Sequence, residues 1–197
     1  MKSANVQTQP LRTTYTGAIE QMAAEEGNPK LVMFLGSNIG NMEIEQAGDF
    51  VQDLSGVMRS GDHLLIGLDM KKDPKVIQEA YDDPDGITAW FNTNMLLHLN
   101  REFGTNFQVS AFSHLAKYDC DTGAARSYLV SKEPCQISFS GSDETARIAK
   151  GEYISTEISQ KYDDKLVREI FGSGNLEEKA HWHDEADYFR DYLFVKR

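Results

Sequence analysis

The sequence predicts an α/β fold: a mostly parallel sheet flanked by helices, joined to an antiparallel β-rich region. Three observations predict it. Leu31 to Leu35 is a short, unbroken apolar run, the pattern of a strand covered on both faces, and it stops at Gly36-Ser37-Asn38. An amphipathic segment follows, with Ile44, Ala47, Phe50, Val51, Leu54, Val57 and Met58 on one helical face, and then a second buried run, His63 to Asp69. From about His114 the apolar period changes from helical to alternating. Two strands around one helix make a right-handed parallel βαβ unit. Open α/β sheets bind ligands at the carboxyl edge of such units.

The remaining elements follow in chain order. Residues 1–14 are polar and aperiodic. Tyr15 to Glu26 carries Ala18, Ile19, Met22 and Ala23 at helical spacing and stops at Gly27-Asn28-Pro29. Ser60-Gly61-Asp62 is the turn before the second strand. Asp73-Pro74 reads as an N-cap followed by proline in the first helical position, and Val76, Ile77, Ala80 and Tyr81 share a face of that helix. Asp82 to Gly86 breaks it. Ile87 to Phe103 is a longer helix, with Ile87, Trp90, Phe91, Met95 and a partly buried His98 on its apolar side, closed by Gly104. Turn signals at Asp121-Thr122-Gly123, Ser140 to Asp143 and Lys150-Gly151-Glu152 separate the strand-like runs SYLVS, QISFS and TARIA. Tyr153 to Ser159 leads into a helix capped near Asp163, with Leu166, Val167, Ile170 and Phe171 inward and Gly172 at its end. Ala180 to Asp184 and Tyr188 to Val195 are the closing strands. No linker interrupts the chain after residue 29, so 197 residues form one domain.

Composition narrows the function classes. Hydrophobic residues make up 40% and charged residues 26%, an ordinary globular balance. No apolar run approaches the roughly 20 residues that span a bilayer. The N-terminus has no apolar stretch of a signal peptide, so the expected compartment is the cytoplasm. The net charge is −11, and Lys71-Lys72 and Lys196-Arg197 are the adjacent basic pairs, which argues against nucleic acid and anionic membranes as partners. Cys120 and Cys135 have no metal-ligand spacing and read as reduced, packed thiols.

Each candidate site residue has an ordinary structural reading as well. His181 and His183 would share a strand face and could hold zinc, but no third ligand is fixed, so no metal is assigned. By pattern Asn41 caps the helix after the first strand, yet at the switch-point crevice it could instead hold a carboxylate or amine. Tyr81 fits a core aromatic. Glu157 and Ser159 share a strand face, where one accepts and one donates hydrogen bonds, a pair suited to a two-nitrogen ring.

The segments LVMFLGSNIGN, HLLIGLDMKKDPKVIQEAYDD, FNTNMLLHLNREFG and GEYISTEISQKY cover nearly everything from Lys30 to Tyr162. In these, in this order, the chain resembles the histidine-specific, S-adenosylmethionine-dependent methyltransferases that trimethylate the α-amino group of histidine in ergothioneine biosynthesis. The resemblance implies a partial Rossmann-like class I methyltransferase fold with residues 73–159 as a substrate-binding excursion. It places Asn41 and Tyr81 on the amino acid's carboxylate and amine, Glu157 and Ser159 on the imidazole, and Gly36 and Ser37 beside the methyl donor. It assigns no nucleophile or base. Ser127 departs from the apolar Met expected to line the pocket.

A larger departure concerns the donor. Enzymes of this fold hold it on a Gly-rich loop after their first strand. Here the first 30 residues contain two glycines, Gly17 and Gly27, and Thr13-Thr14-Tyr15 stands where the family has a Gly-Asp-aromatic stretch. The expectation is that residues 1–29 are a divergent segment, and that the chain supplies the substrate-binding half of a split or homodimeric enzyme. The alternative is a non-catalytic relative that binds a small molecule or a protein.

Overall fold

A computed structural model describes residues 8–25 and 27–197. Residues 1–7, part of the stretch read as irregular, and Glu26, the expected last residue of the first helix, lie outside the described residues. Helix α1 (Tyr15–Ala24) opens on Thr14, whose Oγ1 accepts the Gly17 N–H. Strand β1 (Leu31–Phe34), a single 3-10 turn (Asn38–Asn41), α2 (Ile44–Val57) and β2 (His63–Asp69) follow. Helices α3 (Pro74–Tyr81) and α4 (Ile87–Phe103) precede β3 (Phe112–Asp119), β4 (Ala124–Ser131), β5 (Cys135–Ser138), β6 (Thr145–Ile148) and β7 (Tyr153–Gln160). Helix α5 (Asp164–Ser173), β8 (Leu176–His183) and β9 (Phe189–Lys196) close the chain. No described helix is long and apolar enough to cross a membrane.

The main sheet has the order β1-β2-β9-β8. The α/β class is as the sequence predicts, but parallel pairing in this sheet is confined to β1 and β2, because β9 runs antiparallel to both of its neighbours. The antiparallel excursion is present as a β3-β4-β7 sheet and a β5-β6 hairpin. Leu64, Ile66 and Leu68 alternate onto one face of β2, where Ala47, Val51 and Leu54 of α2 and Val167, Ile170 and Phe171 of α5 cover them. Phe171 stacks on Phe194 with ring centroids 4.6 Å apart. A smaller core joins Leu96 of α4 to Ala111, Phe112 and Leu129.

Several sequence expectations are corrected. Strand β1 is not covered on both faces: Val32 and Phe34 turn toward the core, Phe34 packing on Tyr15 and Phe50, while Leu31 and Met33 are 56% and 57% exposed. The strand lies at the sheet edge, paired with β2 alone among the described strands, and no described helix covers its other face. On α4 the expected apolar side is also divided. Asn92 and Leu96 are buried, but Ile87, Trp90 and Phe91 have two thirds of their surface exposed, Ile87 and Phe91 of them at the wall of a cavity. His98 is exposed as well, its Nδ1 2.7 Å from Arg101. Helix α5 runs past Gly172 to a cap at Gly174. Cys120 is an exposed free thiol rather than a packed one.

The start of α4 is held by one carboxylate. Gly86 takes φ 70°, a conformation open to glycine, and turns the chain so that Asp83 accepts the Ile87 and Thr88 N–H groups at 2.9 and 2.7 Å. The hydrogen bonds from Thr88, with that from Ile87, lower the Asp83 pKa to about 2. The folded value lies below the unfolded one of about 4, so this stabilisation is present above pH 4 and is lost as pH falls through 2. The Asp83 carboxyl resonance should therefore titrate near pH 2, with the Ile87 and Thr88 amides following it. In Asp83→Asn both amides should lose that titration.

Candidate functional site

The site is built where the turn after β1 meets the exit of β7. Gly36 and Ser37 have φ of 78° and 55°, so the chain doubles back at the end of the strand. Asn38 Nδ2 donates to the Leu35 carbonyl at 2.9 Å, and Ser37 Oγ accepts the Asp69 N–H at 3.0 Å, fastening the turn to the end of β2. A Cβ on Gly40 would stand 3.0 Å from the Gln160 carbonyl oxygen, so the turn lies directly on the β7 backbone. Asn41 follows at this contact. It does not cap α2, because it closes the 3-10 turn and the N-cap is Glu43, two residues on, whose N–H donates to Gln46 Oε1.

Two cavities share a wall here. One, of about 440 Å³, is lined by Asp69, Tyr81, Ile87, Phe91, Glu157 and Lys161, among others. The other, of about 750 Å³, is lined by Asn41, Glu43, Phe91, Met95, Arg126 and Glu157, among others. Glu157 and Phe91 belong to both. The structure thus brings Asn41, Tyr81 and Glu157 to one locality, although no element of secondary structure carries two of them. Ser159 lies two residues beyond Glu157 on the same face of β7, with its Oγ 2.8 Å from Lys161 Nζ. Ser159, Gly36 and Ser37 line neither cavity.

The polar scaffold is dense. Lys161 is 2% exposed and its ammonium donates to Asp69 Oδ2, Tyr81 Oη and Ser159 Oγ, each at 2.8 Å. Lys72 reaches the other oxygen of Asp69 at 2.6 Å. Arg126 grips Glu43 with two hydrogen bonds, of 2.7 and 2.6 Å. That contact holds the Glu43 carboxyl below its usual range. Ser127, buried on β4, donates to Glu157 Oε2 at 3.4 Å from the position where an apolar residue is expected. Thr156 donates to Asn92 at 2.6 Å and ties β7 to α4. Sequence reasoning missed Lys161, Asp69 and Arg126. Lys161 was within reach, since it continues the every-second-residue series of Glu157 and Ser159. Away from the cavities, His181 and His183 are each engaged locally, with Glu178 and with the Asp184 carbonyl.

The family model described as histidine-specific methyltransferase, SAM-dependent, matches residues 1–196. The histidine N-alpha-methyltransferase of Mycobacterium tuberculosis is 37% identical over 86% of this chain and 53% of its own length. That of Mycolicibacterium smegmatis is 34% identical over 85% and 52%. Ergothioneine biosynthesis protein 1 of Schizosaccharomyces pombe is 26% identical over 91% of this chain and 23% of its own length. The chain spans about half the length of the two mycobacterial relatives.

The Arg126–Glu43 pair borders the larger cavity and can be tested alone. Arg126→Met should move the Glu43 carboxyl titration back upward toward the ordinary glutamate range, read by carbon NMR. Because Glu43 is nearly half exposed, solvent screening should keep the stability loss below about 1 kcal/mol in a denaturant melt at physiological salt.

Proposed function

We propose that this chain, which belongs to the histidine-specific, S-adenosylmethionine-dependent methyltransferase family, binds histidine or a closely similar amino acid and presents its α-amine for methylation. Asn41 and Tyr81 hold the carboxylate and amine end, and Glu157 with Ser159 holds the ring. The observation that carries this reading is the position of Glu157, which lines both the cavity containing Tyr81 and the cavity containing Asn41. Asn41, Tyr81 and Glu157, three of the residues matched to the family's substrate contacts, therefore line two adjoining cavities with the Glu157 carboxylate in their shared wall, and Ser159 stands beside them on the Glu157 face of β7.

The chain's own contribution is positioning. S-adenosylmethionine supplies an electrophilic methyl group when bound. The amine must meet it unprotonated and in line, and fixing the amino acid at both ends supplies that orientation. Tested against the donor, the residues here fit in part. The turn at Gly36 and Ser37 offers backbone, and the Ser37 hydroxyl is engaged with the Asp69 amide. We propose that a second polypeptide or a second copy completes the donor site. The edge of β1 away from β2 supports this, because no other described strand pairs with it, and a free strand edge carrying exposed Leu31 and Met33 is a template for pairing.

Amide NMR titration with histidine, histamine and alanine tests the substrate reading. Glu157→Ala should remove binding of the two imidazole ligands selectively, at a cost of about 1.5–3 kcal/mol, because it deletes the ring's charged partner. Asn41→Ala should weaken histidine and alanine alike, because both carry the same carboxylate and amine. If wild type shows no histidine-dependent shifts near Asn41, Tyr81, Glu157 or Ser159, the reading fails. For the donor, calorimetry of the single chain with S-adenosylmethionine should show no micromolar binding; micromolar affinity would overturn the shared-site proposal.

A further inference from the structure

Lys161 is more than a buried counter-charge. Its ammonium carries three N–H donors and no acceptor. All three have partners at 2.8 Å: the Asp69 carboxylate, the Tyr81 hydroxyl and the Ser159 hydroxyl. Both hydroxyl oxygens are therefore acceptors toward Lys161, and their hydrogens must point elsewhere. Among the described residues neither hydroxyl donates to any protein acceptor. The nearby Asp69 carboxylate is engaged instead by Lys72 on one oxygen and by Lys161 on the other.

We propose that Lys161 is a positioning residue that fixes Tyr81 and Ser159 as hydrogen-bond donors toward the ligand, so that the site selects a neutral imidazole. This rests on reading the cavities as the amino-acid site. Tyr81 then donates to the ligand carboxylate. Ser159 donates to a ring nitrogen that bears a lone pair, and Glu157 accepts the N–H of the other ring nitrogen. A ring with an N–H but no lone pair meets an unanswered hydroxyl hydrogen at Ser159. A ring with a lone pair but no N–H leaves Glu157 unanswered. Without the ammonium, neither hydroxyl is held as an acceptor, its hydrogen is free to turn from the ligand, and the selection is lost.

The test is a ligand preference, which a purely structural role would not move. Histidine is compared with pyrrolylalanine, which keeps the ring N–H and lacks the lone pair, by calorimetric or NMR titration of the full chain. Wild type should prefer histidine by about tenfold or more, as sites built around a hydrogen bond reject the analogue that cannot make it. Lys161→Met should reduce that preference to within about twofold. Ser159→Ala should do the same, and adding it to Lys161→Met should change nothing further, because coupled residues are not additive. If Lys161→Met does not fold, Lys161→Gln replaces it, since an amide has too few hydrogens for three acceptors, and the preference should again fall. The proposal is overturned if the folded Lys161 variant keeps the wild-type preference, or if wild type binds pyrrolylalanine as tightly as histidine. Failure of the amino-acid reading looks different: wild type then gives no histidine-dependent shifts at all, and this proposal falls with it.

Discussion

The carboxyl end of β2 and the exit of β7 are laced together by backbone. Tyr162 N–H donates to the Asp69 carbonyl at 2.9 Å, and Lys71 N–H donates to the Tyr162 carbonyl at 2.7 Å, a short parallel bridge between two otherwise separate sheets. The Lys161 N–H adds a bond to Gly123, and Gln160 Nε2 a second tie to that hairpin, at Thr122. This junction brings the Glu157 face of an antiparallel strand to the crevice beyond β1 and β2. Tyr81, on α3, enters through the same ammonium that pairs with Asp69. The site is thus a product of one inter-sheet seam rather than of either sheet.

Burying a lysine in such a seam is costly unless all its hydrogens are used and a counter-charge is close. Here Asp69 supplies the counter-charge and two hydroxyls supply the rest, so the ammonium is fully answered. Asp69 in turn lies between two ammonium groups. The arrangement locks side chains that would otherwise rotate, and it does so without spending the hydroxyl hydrogens. A polar network that satisfies its members on one side and leaves donors on the other is what a preformed polar pocket requires.

The legible parts of the sequence were those governed by local chemistry. Asp73-Pro74 marked the start of α3 because cap and proline act within one turn, and Asp163 marked α5 for the same reason. Alternation after His114 revealed the antiparallel sheet. Burial was less legible, since an apolar run states what a strand tolerates and not what covers it; Leu31 and Met33 are exposed because of what lies beside them. The split face of α4 has the same cause. Asn41 misled because a helix-cap residue type closes a 3-10 turn two residues before the real cap. Asn41, Tyr81, Glu157 and Ser159 were named through resemblance, and spacing alone would have left each of them in an ordinary structural role. No periodicity could announce that Lys161 joins two of them, because its partners come from α3, β2 and β7.

The contact between Gly40 and the Gln160 carbonyl has a consequence for selectivity. It is made of backbone on both sides, so main chain sets how closely the turn carrying Asn41 approaches β7. On the proposed reading it acts as a caliper for the distance between the amino end and the ring end of a ligand. Any residue larger than glycine at position 40 would open the caliper by pushing the turn off β7, and would favour side chains longer than that of histidine without altering a single ligand-touching group.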